Sequence, residues 1–270
     1  MPRLLVRFVY ARALSFFKPI ATLSMLLLTV GIVHAQYFTL PSTFFYSLNS
    51  TRQVFDISPD GKLGVALRDN ALLTSFDPIL GTALDTKGFG FGPLGVQLVP
   101  TTNGLRVVVL TSQGGPRAIW LFDLSPAGQL TQLATTQLTT SGADEGSNLV
   151  LSGSGQLGFA VVNSNNGSTG FDLVSFSLVD GSIVKRFAVG GDGDMAMTEA
   201  GGKRLLTFFK NISTVQVVDA TDALNPINLG DVPLPRNTES SAALGNIVIS
   251  GDGHYAFVAD QFADFAVIDL

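Results

Sequence analysis

From residue 52 onward, short apolar stretches alternate with polar turns that each carry a glycine, and the alternation returns in units of one kind. The stretch "FDISPDGKLGVAL" (55–67) predicts a strand, a tight turn and a second strand. The same pattern reappears as "VQLVPTTNGLRVVVL", "NLVLSGSGQLGFAVV", "MAMTEAGGKRLLTFF" and "NIVISGDGHYAFVAD". The turn glycines are Gly61, Gly104, Gly155, Gly202 and Gly253. Asp-Gly and Asn-Gly pairs supply the positive φ angles that two-residue hairpins require, so two-residue hairpins are expected. A third strand follows in every unit: "LLTSFDP", "AIWLFDL", "DLVSFSL", "TVQVVDA" and "FAVIDL". These end in Phe76-Asp77, Phe122-Asp123, Phe176-Ser177, Val218-Asp219 and Ile268-Asp269. The polar residue reads as one that hydrogen-bonds its own following turn where the strand stops, in preference to a catalytic acid. A fourth strand can be traced in the first four units, for example in "QLTQLATTQL" and "SIVKRFAV".

Four antiparallel strands repeating at roughly 45 to 50 residues are the sequence signature of β-propeller blades. One such sheet cannot bury both faces, so blades stack around an axis and cover one another. The expected fold is all-β, with about five blades at roughly 52–92, 93–142, 143–191, 192–240 and 241–270, the last lacking a fourth strand. No helix of any length is expected after residue 40. Either "STFFYSL" (42–48) supplies the missing strand and closes a five-bladed ring, or the chain is a truncated arc of a seven-bladed ring. The aggregation risk of a bare apolar terminus at an open edge favours truncation.

Particular residues carry a family resemblance. "ISPDGKLGVAL" and "ISGDGHYAFVADQFADFAVIDL" resemble the bacterial YVTN β-propeller repeats, and "VQVVDATDALNPINLGDVPLP" is similar to the related LVIVD repeat, with its D-x-x-N-P segment at Asp222, Asn225 and Pro226. The resemblance covers residues 52 to 270 and implies a propeller of the lactonase-like superfamily. The middle units depart from it in their degenerate turns, "PTTNG" and "TEAGG".

The N-terminus alters the picture of location. Arg3, Arg7, Arg12 and Lys18 precede the apolar run "PIATLSMLLLTVGIV", which ends in small residues before Gln36. That order describes a secretory signal peptide over residues 1–35, cleaved after Ala35, and so a secreted or periplasmic protein. The other reading is an uncleaved membrane anchor, although a spanning helix needs roughly 20 apolar residues. Removing the segment takes the net charge from −5 to about −9. An acidic surface without a basic cluster argues against nucleic acid and against anionic membranes as partners. Cysteine is absent, which excludes disulfides, thiolate metal sites and a cysteine nucleophile.

Few residues promise chemistry. Gly90, Gly92 and Gly95 of "GFGPLG" have dinucleotide-loop spacing, but they lead into the strand "VQLVP" and read as an inter-blade loop. Asp192 and Asp194 in "GGDGDMA" are the weak calcium candidates, with only Glu199 near as a further ligand. His254 is the one histidine outside the export segment, which argues against an imidazole zinc site or a serine triad. N-x-S/T triplets at Asn49, Asn166 and Asn211 matter only in a glycosylating host. Propellers bind ligands on loops around the channel, so the connections between second and third strands are the place to look. They offer Arg68, Asp69, Asn70, Arg117, Asn163, Lys210, Asn211 and Asp260 as ligand-binding candidates. Trp120 and the phenylalanines read as packing residues.

The inventory implies no cofactor and a non-catalytic module that binds a protein or a polysaccharide through a loop face. The rival reading is a lactonase-like hydrolase using polar channel residues, since carboxylate-activated or metal-bound water does not need histidine. Quinone-dependent dehydrogenase propellers are a more distant alternative. Fold alone does not choose among these classes.

Overall fold

A computed structural model describes residues 55–68, 72–89, 92–102, 104–111, 116–139, 149–163, 170–191, 194–211, 214–234, 246–259 and 265–270, without the side chains of Arg68, Asn163, Asn211, Asn246 and Phe265. Residues 1–35, expected from the sequence to be a signal peptide, and the stretch 42–48 lie outside the described residues.

The described chain is all-β, and its strands fall into five antiparallel sheets in simple sequential order. The first holds β1 (Phe55–Ile57), β2 (Gly64–Arg68), β3 (Leu72–Asp77) and β4 (Thr82–Gly88). The second holds β5 (Pro93–Thr101), β6 (Gly104–Thr111), β7 (Ala118–Leu124) and β8 (Leu130–Gln137). The third holds β9 (Leu149–Leu151), β10 (Leu157–Asn163), β11 (Phe171–Ser177) and β12 (Ile183–Val189). The fourth holds β13 (Met195–Thr198), β14 (Leu205–Asn211), β15 (Thr214–Asp219) and β16 (Ile227–Pro233). The fifth has three strands, β17 (Asn246–Ile249), β18 (Tyr255–Ala259) and β19 (Phe265–Asp269).

The period of two along a strand explains why the sheets stack. Val107 and Val109 of β6 face the first sheet, packing with Val65, Leu67 and Leu73, while Val108 and Leu110 face the third, packing with Ala160 and Val162. In the third sheet Phe159 and Val161 turn the other way, onto Leu206 and Phe208 of the fourth. Phe209 and Val215 of the fourth sheet then meet Ile247, Ala256 and Ile268 of the fifth. Each interior sheet therefore contributes to two cores, and its central strands are apolar on both faces. Fully burying one such Leu, Val or Phe stabilises the fold by about 1.5–3 kcal/mol.

First strands pack side by side in succession: β1 on β5, β5 on β9, β9 on β13, and β13 on β17. The arrangement is propeller-like, and among the described residues no comparable packing returns β17 to β1.

The hairpins differ from the two-residue expectation. Ser58 and Leu63 close the first one, Ser58 N donating to Leu63 O at 2.8 Å, which leaves four residues in the loop. Side chains hold that longer loop in shape. Ser58 Oγ accepts from Leu63 N at 3.0 Å and donates to Asp60 Oδ1 at 2.7 Å, and Asp60 Oδ1 also accepts from Lys62 N. Gly61 supplies the positive φ, +71°, after a turn in which its N–H reaches Ser58 O. Ser250, Asp252 and Tyr255 repeat the same bonds in the fifth sheet. Among the described first-to-second strand hairpins, the one in the second sheet is as short as expected, with Thr101 paired to Gly104.

Candidate functional site

The first-to-second strand hairpins gather at one end of the stack. The backbone of Pro100 fills the space beside Gly155, Thr198 and Ala200 fill that beside Gly253, and Gly153 N donates to Glu199. In antiparallel sheets the second-to-third strand connections must then leave from the opposite end. Arg68, Asn163 and Asn211 are the last residues of β2, β10 and β14, Lys210 precedes Asn211, and Arg117 directly precedes β7. The topology thus brings these five candidates to one end. Asp69, Asn70 and Asp260 lie outside the described residues.

Arg117 does not present itself to solvent as a loop residue would. It is only 1% exposed, its N–H donates to Thr139 Oγ1 at 2.9 Å, and its carbonyl accepts from Leu138 N at 2.6 Å. Its backbone is therefore fastened to the segment that leaves β8. Lys210 is half-buried and ion-paired, with Nζ 2.5 Å from Asp231 Oδ2, and its chain runs across Gly190 and Gly191. Gln216, in the strand between Lys210 and Asp231, accepts from Gly190 N at 3.1 Å. This corner binds the fourth sheet to the end of the third.

Of the two calcium candidates, Asp192 lies outside the described residues. The Asp194 carboxylate accepts from Ile247 N at 2.9 Å and also bonds Met195 N, which joins the start of β13 to β17. Burial outweighs these two backbone bonds and raises its pKa above the ordinary aspartate value. No group of three or more histidine or carboxylate side chains suited to a metal occurs among the described residues.

The polar residues that end the third strands behave as read from the sequence in three sheets. Asp77 Oδ1 accepts from Ile79 N and Leu80 N, Ser177 Oγ accepts from Val179 N, and Asp219 Oδ1 accepts from Thr221 N. Asp123 instead accepts from Arg106 Nε at 3.0 Å. His254 sits exposed in its turn, its N–H on Asp252 and its carbonyl accepting from Leu270 N.

Sequence reading named Glu199 only as a neighbour of the calcium candidates and passed over the other polar groups that join one sheet to the next. Asp56 Oδ2, in β1, accepts from Leu98 N of β5 at 2.7 Å, and Gln97, also in β5, donates to Leu149 O of β9 at 2.6 Å. Burial raises the Asp56 pKa despite that bond and another from Ile57 N. Arg106 reaches from the second sheet to the carbonyls of Leu178 and Val179 in the third. Glu199 is the most heavily bonded of them. It accepts from Ser152 Oγ at 2.7 Å, Gly153 N at 2.7 Å and Arg204 Nε at 2.8 Å, while the Arg204 guanidinium stands 5.6 Å from the centre of the Phe159 ring. Burial raises its pKa, but the bonds from Ser152, Arg204 and Gly153 outweigh burial, and the net shift is downward. The available signal was scarcity: in a chain only 14% charged, an Asp or Arg inside a strand has to be held by something.

No family model and no curated protein matches the chain. Among solved structures it is similar to a functionally unknown protein from Desulfotomaculum acetoxidans, with a TM-score of 0.57 and 14% identity over 80% of this chain and 68% of that one. At that identity the likeness concerns the fold, a run of antiparallel sheets stacked side by side.

Proposed function

We propose that this chain is an exported β-propeller module of the YVTN/LVIVD type that binds a protein or a polysaccharide through the end of the stack carrying Arg68, Asn163 and Asn211. The observation that carries the reading is how the described ionisable groups are used. Asp56, Asp194, Glu199, Arg204 and Arg106 each hold one sheet to the next, and Lys210 is held by Asp231 beside the third sheet's end. Groups committed in this way stabilise a scaffold, and recognition then falls to the connections at its rim.

The test is a thermal-shift screen of the chain from Gln36 against oligosaccharides, lactones and calcium, with a lactone-hydrolysis assay beside it. Saturable binding of an oligosaccharide that Arg68→Ala or Asn163→Ala weakens at least tenfold, with the melting temperature unchanged, supports a loop-face module. Turnover of a lactone overturns it in favour of the hydrolase.

A further inference from the structure

In the first four sheets the third-to-fourth strand turns return to the end of the stack that carries the first-to-second hairpins, because the strands are antiparallel and sequential. Neighbouring turns stand side by side there. Ser75 Oγ of the first sheet donates to Gly128 O in the turn of the second. Arg106 of the second reaches Leu178 O and Val179 O in the turn of the third, and Ser175 Oγ of the third donates to Ala223 O in the turn of the fourth at 3.3 Å. The four turns therefore form one row.

That row is apolar where surface turns are ordinarily polar. Six large hydrophobic side chains are more than half exposed among the described residues. Five of them, Ile79, Leu80, Val179, Leu224 and Ile227, lie in these turns or on the residue that ends one, and the sixth, Val248, lies in β17. A single exposed aliphatic residue needs no explanation, but an aligned series of them marks an interaction surface.

The same turns are one-sided in charge. Residues 77–82, 123–130, 177–183 and 219–227 hold Asp77, Asp123, Asp180, Asp219 and Asp222 and no Lys or Arg. Arg106, which pairs with Asp123, is itself buried. Asp180 and Asp222 are exposed, and bonds from Ser182 N and from the Asn225 side chain respectively hold their carboxyls below the ordinary aspartate value, so both are charged at neutral pH.

An aliphatic tip beside an ionised carboxylate, repeated from sheet to sheet, complements a chain that presents aliphatic and basic residues together. A second copy meeting this row face to face would set carboxylate against carboxylate, and an anionic lipid surface would be repelled for the same reason. Sheets pack about 10 Å apart, so four turns extend over at least about 30 Å, the length of a helix of about 20 residues.

We infer that the third-to-fourth turns of the first four sheets form a docking surface for a basic amphipathic protein segment, with Leu80, Val179 and Leu224 receiving its aliphatic side chains and Asp180 and Asp222 its Lys or Arg. The surface lies at the opposite end of the stack from Arg68, Asn163 and Asn211, and stands independently of what those residues bind.

The test is isothermal titration of the full chain with a helical peptide of about 20 residues, leucine on one face and lysine on the other. One control peptide carries glutamate for lysine and another serine for leucine. The lysine–leucine peptide is expected to bind saturably, and each control at least tenfold more weakly. Leu80→Ser combined with Val179→Ser, and separately Asp180→Asn combined with Asp222→Asn, are each expected to weaken binding at least tenfold with the melting temperature unchanged, since all four side chains are exposed. Val248→Ser, off the row, and Asn163→Ala, at the other end, should leave binding as it is. No binding of the lysine–leucine peptide, equal binding of the serine control, or a loss on Val248→Ser or Asn163→Ala equal to that of the row variants overturns the inference. Self-association of the chain that Leu80→Ser with Val179→Ser abolishes overturns it in favour of a second copy, and flotation of the chain with phosphatidylcholine vesicles, lost in the same variant, in favour of a lipid surface.

Discussion

Gly158 stands directly across from Phe176 in the third sheet, and the phenyl ring fills the space that a side chain on Gly158 would need: an added Cβ would lie 2.3 Å from the ring's Cζ. Gly64 and Phe76 make the same pair in the first sheet, also at 2.3 Å. Both phenylalanines are fully buried. Glycine is poor strand material, and a ring laid over it restores the lost packing and shields the exposed backbone.

Replacing Gly158 by Ala should therefore cost more than backbone entropy alone would suggest. The clash with Phe176 is expected to destabilise the chain by about 1–3 kcal/mol, and Phe176→Ala by about 3–5 kcal/mol through the cavity it leaves. Urea unfolding of both variants checks this, and the double variant should fall short of the sum because the two residues share one space.

Gly191 and Gly201 separate two reasons for a glycine. At Gly191 an added Cβ would lie 2.0 Å from the Lys210 carbonyl oxygen, whereas at Gly201, with φ +60°, it would meet nothing within 4 Å. Gly201→Ala should cost about 1 kcal/mol of backbone strain. Gly191→Ala should cost clearly more and disturb the Lys210–Asp231 pair, which comparison of the two melts and their salt dependence would reveal.

Glu199 should stabilise the junction of the third and fourth sheets in a pH-dependent way. Its folded pKa lies below the ordinary 4.5, so its contribution is present above that value and is lost as pH falls through the folded pKa. Glu199→Gln is expected to destabilise by on the order of 1 kcal/mol at pH 7, a figure reduced for its partial exposure. The gap from wild type should narrow as pH falls below 4.5 through the folded pKa, as read from urea midpoints along a pH series. A gap that persists unchanged would show that shape rather than charge matters at this junction.

Asp194 should show the opposite sign. Burial holds its folded pKa above the ordinary 3.8, so the folded chain keeps its proton more tightly, and the related stability is present below 3.8 and lost as pH rises through the folded pKa. Asp194→Asn keeps an oxygen for Ile247 N without burying a charge, and is expected to gain on wild type between pH 3 and pH 7. Asp194→Ala leaves the Ile247 N–H without its acceptor and should lose about 1–3 kcal/mol at either pH. Thermal melts across that range distinguish the two.

Local pattern by itself determined the strands, their order and the residues that end them. "FDISPDGKLGVAL" reads as strand, turn and strand because apolar alternation and a glycine able to take positive φ are properties of neighbours along the chain, and Asp77, Ser177 and Asp219 cap their turns for the same local reason. The hairpin length was missed because Ser58 and Asp60 hold four residues in place through side-chain bonds that a motif does not spell out. Only the tertiary structure decided the rest. Arg117 sits beside a glycine-rich connection in sequence yet is buried, and Asp56, Asp194 and Glu199 bond to residues more than forty positions away. Those contacts arise where two sheets meet, and which strand faces which neighbour is a matter of stacking, which no single repeat encodes within its own length.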